Sequence, residues 1–138
     1  MTTTTRLASI RIITADIHRL VDFYAQVTGV EPRWATDDFA ELRWPAFTLA
    51  IGSTATLALF GNDIAQAAAN RTVIVEFHVN DVDAEYHRIR AAEPSVNVVQ
   101  VPTTMPWGNR SVLLRDPDGG LLNLFTPPVE GRHTPDRA

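Results

Sequence analysis

Glu76 and His78 are the two residues whose types and spacing best suit proton transfer. They stand two apart in the run 72–80, TVIVEFHVN, which is rich in β-branched and aromatic residues. Read as a strand, that run turns both side chains to one face, shared with Ile74. An imidazole beside a carboxylate can serve as general acid and base, or give two legs of an unusual metal site. The plainer alternative is a buried polar pair that satisfies itself or a helix end. Other routes to chemistry are closed. Without a cysteine the chain has no disulfide, thiolate nucleophile or thiolate metal site. It has no G-x-S-x-G elbow and no glycine-rich phosphate loop, so nucleophilic catalysis and nucleotide binding have no support. His18 and His87 fall on expected helix surfaces and are assigned nothing.

Binding is better served than catalysis. Trp107 stands between Pro106 and Gly108, an indole on a loop fixed by one rigid and one permissive residue. Trp34, Phe39, Trp44 and Phe47 fall in expected loops or strand edges, whereas Phe23, Tyr24, Phe60 and Phe125 read as helix-face or sheet core. An offset stack on a flat ring contributes roughly 0.5–1.5 kcal/mol beyond its buried area. The candidate ligand-binding residues are therefore Phe39, Trp107, Trp44, Trp34, Phe47, Glu76 and His78, with Arg110 at the head of the strand after Trp107. No residue is assigned as catalytic or metal-binding, and no cofactor is expected.

Composition is that of an ordinary globular protein: 138 residues, 45% hydrophobic and 20% charged. Twelve basic against sixteen acidic residues give a net charge of −4, which argues against a nucleic-acid surface and mildly favours neutral or cationic partners. The start, MTTTTR, has no apolar signal region, and no window approaches the roughly 18 apolar residues of a membrane span. A cytoplasmic location is the expectation.

These residues need elements to position them. The run 7–14 is a strand candidate. Asp16 sits where a helix cap would, ahead of an apolar helical face from Ile17 to Val27 that ends at Gly29. Four β-like pieces follow, 31–36, 39–44, 47–52 and 55–60, then a connector, 61–71. The pattern restarts with a strand at 72–80, a helix capped by Asp81 through about Ala92, and a strand at 96–101. It closes with a hairpin whose arms, 110–115 and 121–126, flank the turn Asp116-Pro117-Asp118-Gly119-Gly120. Asp16-Ile17 and Asp81-Val82 lie 65 residues apart (81 − 16), as do Leu59-Phe60 and Leu124-Phe125 (124 − 59). Two βαβββ copies therefore fill the chain, and the surplus strand of the first is absorbed by reading 31–44 as one long, bent strand.

This pattern resembles the vicinal oxygen chelate superfamily of glyoxalase I, extradiol dioxygenases and bleomycin-resistance proteins, and within it the bleomycin-resistance branch. The likeness is carried by Asp16 with the Phe23-Tyr24 helix, Asp37-Asp38-Phe39-Ala40, Pro106-Trp107-Gly108, and Arg115-Asp116-Pro117 with Gly119. It implies an α+β fold of two βαβββ modules forming a cup-shaped mixed sheet. The chain would be one domain, 1–138, with modules at about 7–60 and 72–126, in a protein that is often a dimer. It also implies that Phe39 and Trp107 stack on flat heteroaromatic rings. Enzymes of the superfamily hold a divalent metal at four strand positions, which fall here on Ser9, Ala58, Ile74 and Asn123. None is an imidazole or a carboxylate. The implied function is a non-catalytic protein that sequesters a flat aromatic antibiotic or related metabolite, with a basic or hydrogen-bonding group facing Glu76. The alternative is a lyase, isomerase or dioxygenase with a rearranged metal site using Glu76 and His78. Expected partners are a small aromatic ligand and a second copy of the chain, with neither nucleic acid nor membrane.

Overall fold

Each half of the chain builds a four-stranded mixed sheet with one helix against it. The computed structural model describes residues 4–58, 60–61 and 63–128 and divides into two compact units, Met1–Ala69 and Asn70–Ala138. Unit 1 contains β1 (Ser9–Thr14), α1 (Ile17–Thr28), β2 (Arg33–Thr36), β3 (Phe39–Trp44) and β4 (Phe47–Ser53). Unit 2 repeats the order with β5 (Ile74–His78), α2 (Val82–Ala92), β6 (Asn97–Thr104), β7 (Arg110–Arg115) and β8 (Leu121–Thr126). The strand orders are β1-β4-β3-β2 and β5-β8-β7-β6. In each, the first strand pairs parallel with the last and every other pairing is antiparallel. The α+β class and the two βαβββ copies are thus as read from the sequence.

The helices begin and end where their caps dictate. The Asp16 carboxylate accepts from the Arg19 amide at 3.2 Å, and the Asp81 carboxylate from the Ala84 amide at 3.0 Å. These bonds satisfy amides that no preceding turn can reach. Helix α1 stops at Gly29, whose φ of 75° is left-handed. Its buried stripe, Ile17, Leu20, Val21, Tyr24 and Val27, packs on a sheet face whose Ala40, Leu42, Leu49 and Ile51 are fully buried. Unit 2 is built alike, with Val82 and Ile89 of α2 against Val75, Val112, Leu114, Leu122 and Leu124.

Two expectations for the first unit fail. Residues 31–44 are two strands, not one: the Thr36 hydroxyl accepts from the Asp38 amide at 3.0 Å, and the chain reverses so that Arg33 pairs Glu41 and Trp34 pairs Ala40. The piece 55–60 is no strand. Its start is a short 3-10 helix, Thr54–Leu57, and Ala58 caps it. The cause is local competition for backbone groups. The Ser53 hydroxyl accepts from the Ala55 amide at 3.1 Å, while the Thr56 hydroxyl donates to the Ser53 carbonyl at 2.7 Å. The last strand of the unit is β4 instead, which buries Leu49 and Ile51 under α1. In register, Ile13 pairs Gly52 and His78 pairs Phe125. The true offset between the closing strands is therefore 73 (125 − 52), and the Leu59-Phe60 match to Leu124-Phe125 is coincidental; Leu59 itself lies outside the described residues.

The hairpin of unit 2 is found at the expected bounds. Its turn is tied by Asp116, only 6% exposed. The Asp116 side chain accepts from the amides of Asp118 and Gly120, both at 2.9 Å, and its backbone amide donates to the Gly120 carbonyl at 2.8 Å. Gly119 takes φ 87°, a conformation that disfavours a side chain.

Candidate functional site

Strand register decides which candidate residues share a face. In unit 2, residues 74, 76 and 78 of β5 pair with 121, 123 and 125 of β8. Leu122 and Leu124, one step out of phase, are buried on the α2 side, so Glu76 and His78 stand on the opposite face, together, as expected. There Asn123 donates its side-chain amide to the Glu76 carboxylate at 2.9 Å. The His78 ring stacks on Phe125 at 5.8 Å between centroids with planes 27° apart. The Glu76 carboxylate is not ion-paired to any described residue. Asn123 is 9% exposed, and its carbonyl oxygen, Oδ1, is buried without a hydrogen-bond partner among the described residues. That orientation follows from Glu76, since a carboxylate needs the NH2 end of the amide and leaves the oxygen over. An orphaned buried acceptor costs about 1–3 kcal/mol.

Trp107 is 57% exposed. It rides a tight turn closed by the Gly108 amide on the Met105 carbonyl at 2.8 Å. Gly108, at φ 103°, sits so close to Pro128 that an added Cβ would come within 2.8 Å of the ring. The indole is therefore presented on a fixed loop.

Arg110 is used differently. It begins β7 on the α2 side and grips Asp83 of α2 with two hydrogen bonds of 2.7 and 2.8 Å, while a third, at 3.1 Å, reaches Thr104. The Arg110 guanidinium holds the Asp83 carboxyl below the usual range, and Asp83 in turn raises Arg110. This is a tie between helix and hairpin, on the face opposite Glu76 and His78.

The aromatic residues of unit 1 do not form one wall. Trp34 pairs Ala40 and Trp44 pairs Phe47 in a register that puts all three rings on the α1 side of the sheet. Trp34 lies against His18 of α1 at 4.8 Å. Phe39 pairs Gly52 and occupies the other face. Strand parity, read after the 36–39 reversal is located, is the signal that separates them; treating 31–44 as one strand hid it. Asn123 was reached only as a metal position, and its pairing with Glu76 needed the 74–121 register.

The four metal positions become Ser9, Ala50, Ile74 and Asn123, because the last strand of unit 1 is β4 and 123 − 73 = 50. A methyl group, a branched alkyl and two neutral oxygens do not fit a divalent cation, which needs several converging nitrogen or charged oxygen donors. Among the described residues, no group of three or more His, Asp or Glu comes together.

The family model for the Glyoxalase/Bleomycin resistance protein/Dioxygenase superfamily matches residues 6–124, and the chain belongs to that superfamily. Its fold is similar to that of a glyoxalase/bleomycin resistance protein/dioxygenase from Nocardioides, at 22% identity over 96% of this chain and 89% of that one, with a TM-score of 0.75. A glyoxalase/bleomycin resistance protein/dioxygenase family enzyme from Burkholderia phytofirmans PsJN gives 0.77 at 18% identity, over 88% and 98% of the two chains. A glyoxalase-related enzyme from Fulvimarina pelagi gives 0.74 at 18% identity, over 94% and 95%. No curated sequence matches significantly. No helix among the described residues is long and apolar enough to cross a membrane.

Proposed function

We propose that the chain binds a flat aromatic small molecule, an antibiotic or related metabolite, and sequesters it without chemical change. The observation that carries this reading is the Glu76–Asn123 pair: an exposed carboxylate, free of any described cation and held in place by a side-chain amide. A ligand bearing a basic or hydrogen-bond-donating group would add a charge-assisted bond to the exposed Glu76 carboxylate. Trp107, exposed in the same unit, is the proposed ring contact. One stack together with burial at about 25 cal/mol per Å² supports micromolar or tighter affinity with no reaction. The test is a titration of planar aromatic antibiotics carrying a basic group, read by tryptophan emission and by recovery of the unchanged compound. Saturable binding with full recovery supports sequestration.

A second reading is favoured by one feature, the shared face of Glu76 and His78. It is a superfamily enzyme, a lyase, isomerase or dioxygenase, in which these two residues move protons or ligate a metal. Stoichiometric manganese, iron, nickel or zinc that survives dialysis of the purified protein, and is lost in His78→Ala, would replace the first reading with this one.

A further inference from the structure

The face of unit 1 opposite α1 carries positive charge in a chain whose net charge is −4. Arg11 of β1, Arg33 of β2 and Arg43 of β3 occupy it by register, with Glu41 as the carboxylate in the same row: Arg11 pairs Ala50, Ala50 pairs Glu41, and Glu41 pairs Arg33. Glu41 is already engaged, since the Arg43 guanidinium donates to it at 2.9 and 2.6 Å. Arg11 is left without an acceptor among the described residues.

Two rings flank it. The Arg11 guanidinium carbon lies 5.5 Å from the Phe39 centroid and 5.9 Å from that of Phe60, within cation–π range. The neighbouring β4 residues beneath them, Ala50 and Gly52, are small and buried. A Cβ on Gly52 would stand 2.9 Å from the Thr56 hydroxyl, 3.4 Å from the Arg11 side chain and 3.5 Å from Phe39. Only the Thr56 hydroxyl would be crowded there; the arginine stem and the phenyl ring lie at ordinary contact distance from that point. Phe60 is 61% exposed, so one ring of the pair has an uncovered surface.

We propose that Arg11 is the anchor of an anion site, and that its ligand is a planar aromatic carboxylate. The planar guanidinium fork matches a carboxylate with two parallel N–H···O bonds, while Phe39 and Phe60 offer apolar surface to the ring that bears it. Arg33 and Arg43 add a favourable field without being required to touch the ligand. The proposal shares no residue with the function proposed above. Its ligand is anionic where Glu76 calls for a basic one, so the two fail separately.

The probe is naphthalene-2-carboxylate, with naphthalene-2-carboxamide as its neutral isostere, titrated into the full chain by calorimetry and by the side-chain Nε–Hε NMR signal of Arg11. The carboxylate should saturate one site per chain, shift the Arg11 signal and weaken as salt is raised. The carboxamide should bind at least about tenfold more weakly, since it loses the charge-assisted pair. Arg11→Gln should lower carboxylate affinity by a similar factor while melting like the parent; Arg11→Lys should restore part of it, and Phe39→Leu should weaken both probes together. Equal affinity for the two probes, absence of binding by the parent, or an Arg11→Gln variant that binds as the parent does would each overturn the proposal. The comparison of probes on the parent protein stands even if a variant folds poorly.

Discussion

Asn123 and Glu76 are joined across the parallel pairing of β8 with β5 by a 2.9 Å hydrogen bond, and the amide oxygen left over is buried and unmatched among the described residues. The first prediction follows from this geometry. Asn123→Asp places a second carboxylate against Glu76, and two like charges at that separation cannot both ionise cheaply. One of them therefore titrates above its ordinary value in the folded state only. The resulting penalty is present at neutral pH and relieved as pH falls through that raised value. The variant should lose roughly 1–3 kcal/mol at pH 7 and recover most of it near pH 4. Urea melts at the two pH values check this, and an equal loss at both would show that the two side chains do not meet. Asn123→Leu, which removes the orphaned oxygen, should stay within about 1 kcal/mol of the parent.

The turn after β7 gives a prediction about two adjacent glycines with different reasons. Gly119→Val forces a β-branched residue to φ 87°, while Gly120→Val drives a Cβ to 2.8 Å from the buried Asp116 carboxylate. Each should cost roughly 1–3 kcal/mol. Gly119→Asn should recover part of the first loss because asparagine tolerates left-handed backbone, whereas Gly120→Ala should recover little of the second, since the Cβ that meets Asp116 is still there. Thermal melts of the four variants separate strain from collision.

Acid should weaken the tie between Asp83 and Arg110. The folded-state pKa of Asp83 is depressed from 3.8 by its hydrogen bonds to Arg110. Its contribution to stability is therefore complete above the ordinary carboxylate range and is lost as pH falls below it. Asp83→Asn should be less stable than the parent at pH 7 and indistinguishable from it near pH 2. Both groups are solvent-exposed, so the difference will be small and will shrink with salt. A stability gap unchanged by acid would mean that the loss comes from packing.

Assembly is a separate expectation. Strand β6 is an edge of its sheet and exposes Val99 and Val101, an apolar strand border that isolated proteins ordinarily protect. The chain should run as a dimer, twice its 15.3 kDa, in light scattering at micromolar concentration. Val101→Lys should shift it towards monomer, and a monomeric mass for the parent contradicts the expectation.

Much of the fold was legible because its signals are local. Asp16, Gly29 and Asp81 mark helix ends by their own hydrogen bonds and backbone angles, and Asp116 with Gly119 marks the hairpin. The face shared by Glu76 and His78 is a consequence of strand period alone. The losses came where two local signals competed for one place in the sheet. The pieces 47–52 and 55–60 are both apolar enough to be the strand beside β1, and only the Ser53 and Thr56 hydroxyl bonds, together with burial under α1, decide for β4. That choice moved a metal position from Ala58 to Ala50 and, with the 36–39 reversal, sent Trp34, Trp44 and Phe47 to the helix side. Arg110 read as a ligand contact because nothing in the sequence couples it to Asp83, 27 residues earlier.

Whether Glu76 and Trp107 hold a flat, basic ligand is decided by one calorimetric series. Parent, Glu76→Gln and Trp107→Ala are titrated at two salt concentrations with a planar aromatic antibiotic that bears a basic group. The parent should bind saturably, and Trp107→Ala should lose about 1.5–3 kcal/mol in affinity, from the stack and the buried indole area together. Because that indole is mostly exposed, its melting temperature should be nearly unchanged, whereas a core tryptophan would cost roughly 3–5 kcal/mol of stability. Glu76→Gln should bind more weakly and lose part of the salt dependence. Parent and both variants binding alike, or a parent that binds no member of a panel of such compounds, would contradict that binding mode.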